Sequence, residues 1–355
     1  MVFGRALFEE INSSQDRQVG MNLFLSDYFG RQAVCVVNGT AALHLALQAL
    51  EVTSGDEVLV QSLTYVASFQ AISATGATPV PCDVNPTSLT IDLDDAERKI
   101  TSRTKAIMPV HYAGGVGDLD GVYELAKNYN LRVVEDAAHA MGSCHNQVKV
   151  GGKGDVACFS FDGIKNITSG EGGCIVTDDP KVIGAAQDAR LLGVIGDSLK
   201  REQSGRTWEP NVQAQGWRYH MSDLMAAIGR VQLGRLGELA SKRQDLALLY
   251  YSILQASNDL KLLDLDLAEV VPHIFPVICK EESQRLRIRE VMSREGIPFG
   301  LHYKPNHLLD YFKTPQSRLP NTEKIFPKII TLPLHPDLTE EQVKLISSIV
   351  LDVCD

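Results

Sequence analysis

Residues 131–173 read LRVVEDAAHAMGSCHNQVKVGGKGDVACFSFDGIKNITSGEGG. One apolar run ends in an acid, Asp136, and a second leads into a glycine-rich turn carrying a single lysine, Lys165. An aspartate and a lysine on neighbouring strand ends suit the chemistry of pyridoxal 5'-phosphate (PLP). The lysine forms a Schiff base with the cofactor, and the aspartate holds a proton on the pyridine nitrogen so that the ring accepts electrons. Lys165 follows Phe159 and Phe161, and a lysine at the end of a buried run is costly unless it is paired or functional. Burial also lowers its pKa toward that of a working nucleophile. The competing roles are structural: a surface lysine that extends its amine to water, and for Asp136 a plain helix N-cap.

Other residues join this pair. Asn38-Gly39-Thr40-Ala41-Ala42 follows the run AVCVV and opens an apolar helical pattern. A helix N-terminus presents free N–H groups and a positive dipole end. Gly39 lets an anion approach the backbone there, and Thr40 adds a hydroxyl, so the segment suits a phosphate. It equally suits an ordinary cap without a ligand. Tyr65, in SLTYVASFQ, sits between a strand and a helix, placed to stack on a flat ring or to fill a half-buried core position. His139 lies one helical turn beyond Asp136 and would face the same way, toward a ring hydroxyl or a substrate, unless it is structural. Ser160, five residues before Lys165, offers a hydroxyl to the cofactor phosphate.

Two decoys fall away. Gly152-Lys153-Gly154-Asp155-Val156-Ala157 fits G-x-G-x-x-A, but that fingerprint must open a helix, and the residues that follow read as a strand. Glu135, Asp136, His139 and His145 cluster without a recognised metal-ligand spacing, so no metal is expected. There is no G-x-S-x-G elbow and no Walker A loop.

The elements that must position these residues alternate. Strands are expected at 57–60, 77–83, 105–110, 131–136, 156–161 and 173–177, and helices at 40–50, 65–75, 92–100, 118–129 and 180–192. That order predicts an α/β fold with a mostly parallel central sheet flanked by helices. The stretch 193–220 is irregular, and 221–257 reads as one long helix or two. A strand near 271–278, a helix near 283–295 and a closing helix near 339–353 make a smaller α+β unit. We place the division at residues 1–238 for the cofactor-binding part and 239–355 for the C-terminal domain.

The chain has 355 residues, 44% hydrophobic and 22% charged, which is ample for two cores. A net charge of −10 argues against a nucleic-acid-binding surface. The seven cysteines are scattered, without a CxxC pair, as expected of buried reduced thiols in a cytoplasmic protein. The first thirty residues resemble neither a signal peptide nor a membrane anchor.

At six places the chain resembles the PLP-dependent sugar aminotransferases of the DegT/DnrJ/EryC1/StrS family. They are NGTAALHLAL at 38–47, TYVAS at 64–68, VEDAAHAMG at 134–142, GDVACFSFDGIKNITSGEGG at 154–173, MSDLMAAIGRVQL at 221–233 and HYKPNH at 302–307. The resemblance implies the type I aminotransferase fold. It implies that Thr40, Ala41 and Ser160 hold the cofactor phosphate and that Tyr65 stacks on the ring. Asp136 would pair with the ring nitrogen, His139 would lie by the ring hydroxyl, and Lys165 would carry the cofactor. It further implies a homodimer with shared active sites. The activity implied is transfer of an amino group from L-glutamate to a nucleotide-linked 4-keto-6-deoxyhexose, in amino-sugar and polysaccharide biosynthesis. A 3-keto sugar or a cyclitol ketone is an alternative acceptor. A dehydratase on the same scaffold would replace the lysine with histidine, and Lys165 is present. A PLP-binding regulator would need an appended partner-binding segment, for which 355 residues leave no room.

Two departures stand out. Where members usually carry GYNYR, this chain has Gly216-Trp217-Arg218-Tyr219-His220. The family's asparagine reaches the partner subunit's phosphate; Arg218 takes its place and can bind phosphate bidentately, or serve the substrate instead. Members also carry a longer, proline-rich leader before the first helix.

Overall fold

The computed structural model describes residues 17–195, 211–313 and 318–354. A seven-stranded sheet runs in the order β1-β9-β8-β5-β4-β2-β3. Its strands are β1 (Gln32–Val36), β2 (Glu57–Gln61), β3 (Thr78–Cys82), β4 (Thr104–Met108), β5 (Arg132–Asp136), β8 (Val156–Ser160) and β9 (Gly173–Thr177). The β2–β3, β2–β4, β4–β5 and β5–β8 pairs are parallel, and β9 runs antiparallel to both of its neighbours. A mostly parallel sheet between helices is therefore what the alternating pattern produces.

The strand sequences explain this placement. Every residue of β2, β8 and β9 is buried, as strands covered on both faces require. Along β8, Ala157 and Phe159 enter one apolar cluster while Val156 and Cys158 enter the other. β3 carries Pro79 and Pro81, which cannot donate to a ladder, and it sits at the sheet edge, paired only with β2.

The expected helices appear as Gly39–Ala49, Val66–Ala74, Leu93–Arg98, Leu119–Tyr129 and Pro180–Ala189. Residues 221–257 resolve into two helices, Asp223–Gly234 and Leu236–Leu254, separated at Arg235. The second helix is shared. Leu236 and Leu239 belong to the core beneath the main sheet, whereas Leu246, Ala247, Tyr250 and Leu254 belong to a C-terminal core. That core is built on the antiparallel sheet β10 (Leu260–Leu262), β11 (Phe275–Cys279) and β12 (Ile329–Leu332), packed with helices Glu282–Arg294 and Glu340–Cys354. A short hairpin, β6 (Cys144–His145) with β7 (Val148–Lys149), was not anticipated. Two-residue strands leave no periodic signal.

None of the seven cysteines forms a disulfide. Among the described residues no helix is long and apolar enough to cross a membrane. The N-terminal leader and much of the irregular stretch, residues 196–210, lie outside the described residues.

Candidate active site

A cavity of about 400 Å³ opens where β5 and β8 end. This is the place where a parallel sheet concentrates ligands. Asp136 pairs in register with Cys158, so the acid and Ser160 reach the same rim of the sheet. The loop from β8 to β9 carries Lys165 back over that rim. It is tied by Phe161 N–H to Gly172 O (2.7 Å), Ser169 N–H to Phe161 O (2.9 Å) and Lys165 N–H to Asp162 O (3.0 Å). Gly39, Thr40, Tyr65, Asp136, His139, Ser160 and Lys165 all line the cavity. Chain segments far apart in sequence meet there.

The end of the cavity at Gly39 is shaped by close packing. Asn38 caps the helix Gly39–Ala49 by accepting from Ala41 N–H at 2.8 Å. A Cβ on Gly39 would lie 2.8 Å from Ser160 Cβ, so only glycine lets the helix N-terminus press on the end of β8. Ala41, which the resemblance places at the cofactor phosphate, is not among the residues that line the cavity. It is buried off the cavity and its N–H is committed to Asn38, which leaves Gly39, the exposed Thr40 and Ser160 at the anion-facing end. Gly39→Ala is expected to destabilise the fold by about 1–3 kcal/mol through overpacking. It should weaken PLP binding in parallel, and thermal melts with PLP titration would check both. Unchanged values would show that the contact relaxes freely.

The end of the cavity at Lys165 and Asp136 is electrostatically tuned. Lys165 is half-buried, and burial pulls its amine down to about 8, against the opposing pull of Asp136 and Asp162. Among the described residues no hydrogen bond holds its Nζ. Asp136 is buried, and desolvation raises its pKa. Ser68 Oγ donates to its Oδ2 at 2.7 Å and Ala138 N–H to its Oδ1 at 3.2 Å. Both bonds, with the Lys165 and His111 charges, favour the ionised form. His139 Nε2 meets the Tyr303 hydroxyl at 3.1 Å. Burial pushes the His139 pKa well below the usual imidazole range, so the ring is neutral at pH 7. His139 does not sit on a helix as expected. Residues 137–140 form a turn closed by Ala140 N–H to Ala137 O, and the side chain reaches the cavity from there.

Several lining residues escaped sequence reading: Thr64, Asp162, Glu171, His302 and Tyr303, together with Ser68 behind the wall. His302 and Tyr303 come from HYKPNH, and Tyr303 lies 5.6 Å from Tyr65, ring to ring. Burial lowers the His302 pKa to about 4. Only the folded chain brings residues 302–303 beside residue 139. Arg218 does not line the cavity; it is exposed, on a segment bridged to Leu191. No group of three His, Cys, Asp or Glu among the described residues could hold a metal ion. Glu135 is instead bound to His111 at 2.7 Å, and His145 to Asp120 at 3.1 Å. The glycine fingerprint at 152–157 runs into β8, a strand.

An amine of low pKa, a buried carboxylate and an anion-facing helix end in one cavity fit a phosphorylated pyridine aldehyde. The comparisons agree. Among solved structures, Spr1654 of Streptococcus pneumoniae in its PMP form, described as a sugar aminotransferase, is 31% identical. It superposes with a TM-score of 0.90, covering 99% of this chain and 96% of its own. PseC of Helicobacter pylori, an aminotransferase involved in the biosynthesis of pseudoaminic acid, is 28% identical over 99% and 95% of the two chains, with a TM-score of 0.90. The aminotransferase TlmJ of Streptoalloteichus hindustanus is 30% identical over 99% and 96%, also with a TM-score of 0.90. Residues 22–351 match the family model, and the chain belongs to the DegT/DnrJ/EryC1/StrS aminotransferase family.

Proposed function

We propose that this protein is a PLP-dependent sugar aminotransferase that moves an amino group from L-glutamate to a nucleotide-linked 4-keto-6-deoxyhexose. The observation that carries the reading is Lys165, with an amine near 8, beside the buried Asp136 in one cavity. When bound, PLP supplies an electrophilic aldehyde and a ring that accepts electrons. Lys165 is the residue that would hold that aldehyde, and its amine would serve as general base and acid. Of the other residues at the cavity, Asp136 would hold the ring proton, Tyr65 would cover the ring, and His139 would lie by the ring hydroxyl. The N-terminus of the helix Gly39–Ala49, Thr40 and Ser160 bind the phosphate. Asp162 and Glu171, also at the cavity, can accept hydrogen bonds from sugar hydroxyls. The sugar assignment draws support from the relatives named above. Seven cysteines outside any disulfide suit a reducing, cytoplasmic setting.

The test is a panel of keto-sugar nucleotides offered with glutamate, read by formation of 2-oxoglutarate and amino sugar. Amination of a 3-keto sugar or a cyclitol ketone would keep the enzyme and change its substrate. Failure of glutamate to bleach the bound cofactor would overturn the reading.

The same reading includes a homodimer with shared sites, which exposed Leu23, Phe24, Ile164 and Leu224 support. Arg218 then serves the neighbour's phosphate. Its exposed position outside this chain's own cavity suits that role. Arg218→Ala should weaken PLP affinity by about ten- to a hundredfold, the worth of one charge-assisted hydrogen bond. A raised Michaelis constant for the sugar with unchanged PLP affinity would assign it to the substrate. No change in either would leave it structural.

A further inference from the structure

Two motif segments have no part in the roles above: the ends of TYVAS, Thr64 and Ser68, and Asn306-His307 of HYKPNH. The fold joins them behind the cavity wall. Asn306 and His307 are buried and grip the turn that follows β2. Asn306 Nδ2 donates to Thr64 O (2.8 Å) and Ser62 O (3.1 Å), and its N–H donates to Ser62 O (2.9 Å). His307 N–H donates to Ser62 Oγ (3.0 Å), and its Nδ1 meets the same oxygen at 2.7 Å. The turn so held presents Thr64, whose hydroxyl lies 3.1 Å from Ser68 Oγ. Ser68 in turn lies 2.7 Å from Asp136 Oδ2. All three side chains are buried.

A hydroxyl has one proton to give. Among the described residues the other acceptors for Ser68 are Thr64 Oγ1 at 3.1 Å and Tyr65 O at 3.4 Å; the charged carboxylate at 2.7 Å is both nearer and the stronger acceptor, so the proton goes to Asp136. Thr64 then donates to Ser68, and a chain of hydroxyls ends on the carboxylate. Desolvation works against ionisation of Asp136, and Lys165 ceases to be a free ammonium once it carries the cofactor. Several other groups face the acid. Tyr303 and the Cys158 thiol would repel it if ionised, His111 lies behind it bound to Glu135, and Ala138 N–H meets the other oxygen. Of the donors to the carboxylate oxygens, Ser68 makes the shorter bond.

We propose that Ser68 is a positioning residue, held by the Asn306–His307 clamp through Thr64, that keeps Asp136 ionised so that the proton stays on the ring nitrogen. The proposal rests on the reading of Asp136 given above.

The experiment loads the holoenzyme with cofactor labelled with 15N at the pyridine nitrogen and compares wild type, Ser68→Ala, Ser68→Thr and Thr64→Val. In wild type the resonance should sit at the protonated position. In Ser68→Ala it should move toward the neutral position. Turnover should then fall by about ten- to a hundredfold, with cofactor affinity and Michaelis constants nearly unchanged. Ser68→Thr should restore both readouts, and Thr64→Val should move the signal less, in the same direction. A protonated signal and normal turnover in Ser68→Ala would overturn the proposal while leaving Asp136 in its role. Loss of cofactor affinity in both serine variants would also overturn it, as the mark of a merely structural residue. A neutral nitrogen in wild type would overturn the Asp136 reading itself, and the proposal with it.

Discussion

Lys165→Ala is expected to abolish turnover and the borohydride-trappable cofactor adduct while leaving non-covalent PLP binding measurable. Gly39, Thr40 and Ser160, the cavity-lining residues proposed to bind the phosphate, do not include the lysine, so the cofactor should still be held at that end. Removal of a positioned acid–base group alone costs about 10²–10⁴ in rate, and here the covalent anchor goes with it. The lowered amine gives a second handle. With a pKa of about 8 instead of 10.5, roughly half of the lysine is neutral at pH 8, against about one part in three hundred otherwise. Capture of PLP by the apoenzyme should therefore quicken as pH rises to about 8 and then level off. A rate still climbing at pH 10 would show an ordinary lysine. Retained turnover in the alanine variant would place the nucleophile elsewhere.

Asp136→Asn should lower amino transfer by about 10²–10³-fold, the usual loss when one preorganised charge is removed from a site. Asparagine keeps the shape. Its carbonyl can still accept from Ser68 or Ala138, but it cannot balance a protonated ring nitrogen. Cofactor affinity should change modestly. The stability effect has the opposite sign. The folded-state pKa of Asp136 is raised by burial, so the ionised carboxylate costs stability at every pH above its unfolded value. The neutral variant is free of that cost, so its melting temperature at pH 7 should equal or exceed that of wild type. A near-normal rate would mean that the partner acid lies elsewhere. A large drop in melting temperature would mean that Asp136 is structural.

The sequence by itself determined the sheet and the two central residues. Fully apolar strand runs and capped helices carry their signals within a few residues. Asp136 and Lys165 stand out because a charge at the end of an apolar run is costly unless it is used. The prolines of β3 and the glycine at 39 were equally local, although only the structure shows that Gly39 answers to Ser160. Other features depended on tertiary structure. His302 and Tyr303 join His139 across more than 160 residues of chain, and the Asn306–His307 clamp reaches Ser62 across more than 240. The single hydroxyl of Ser68 has no pattern that separates it from any other helical serine. The resemblance implies Ala41 at the cofactor phosphate, but only the structure shows that the Asn38 cap takes its N–H. Periodicity reports which face of an element is buried. It does not report which distant side chain fills the space opposite, and that choice made the cavity wall and the hydrogen bonds behind Asp136.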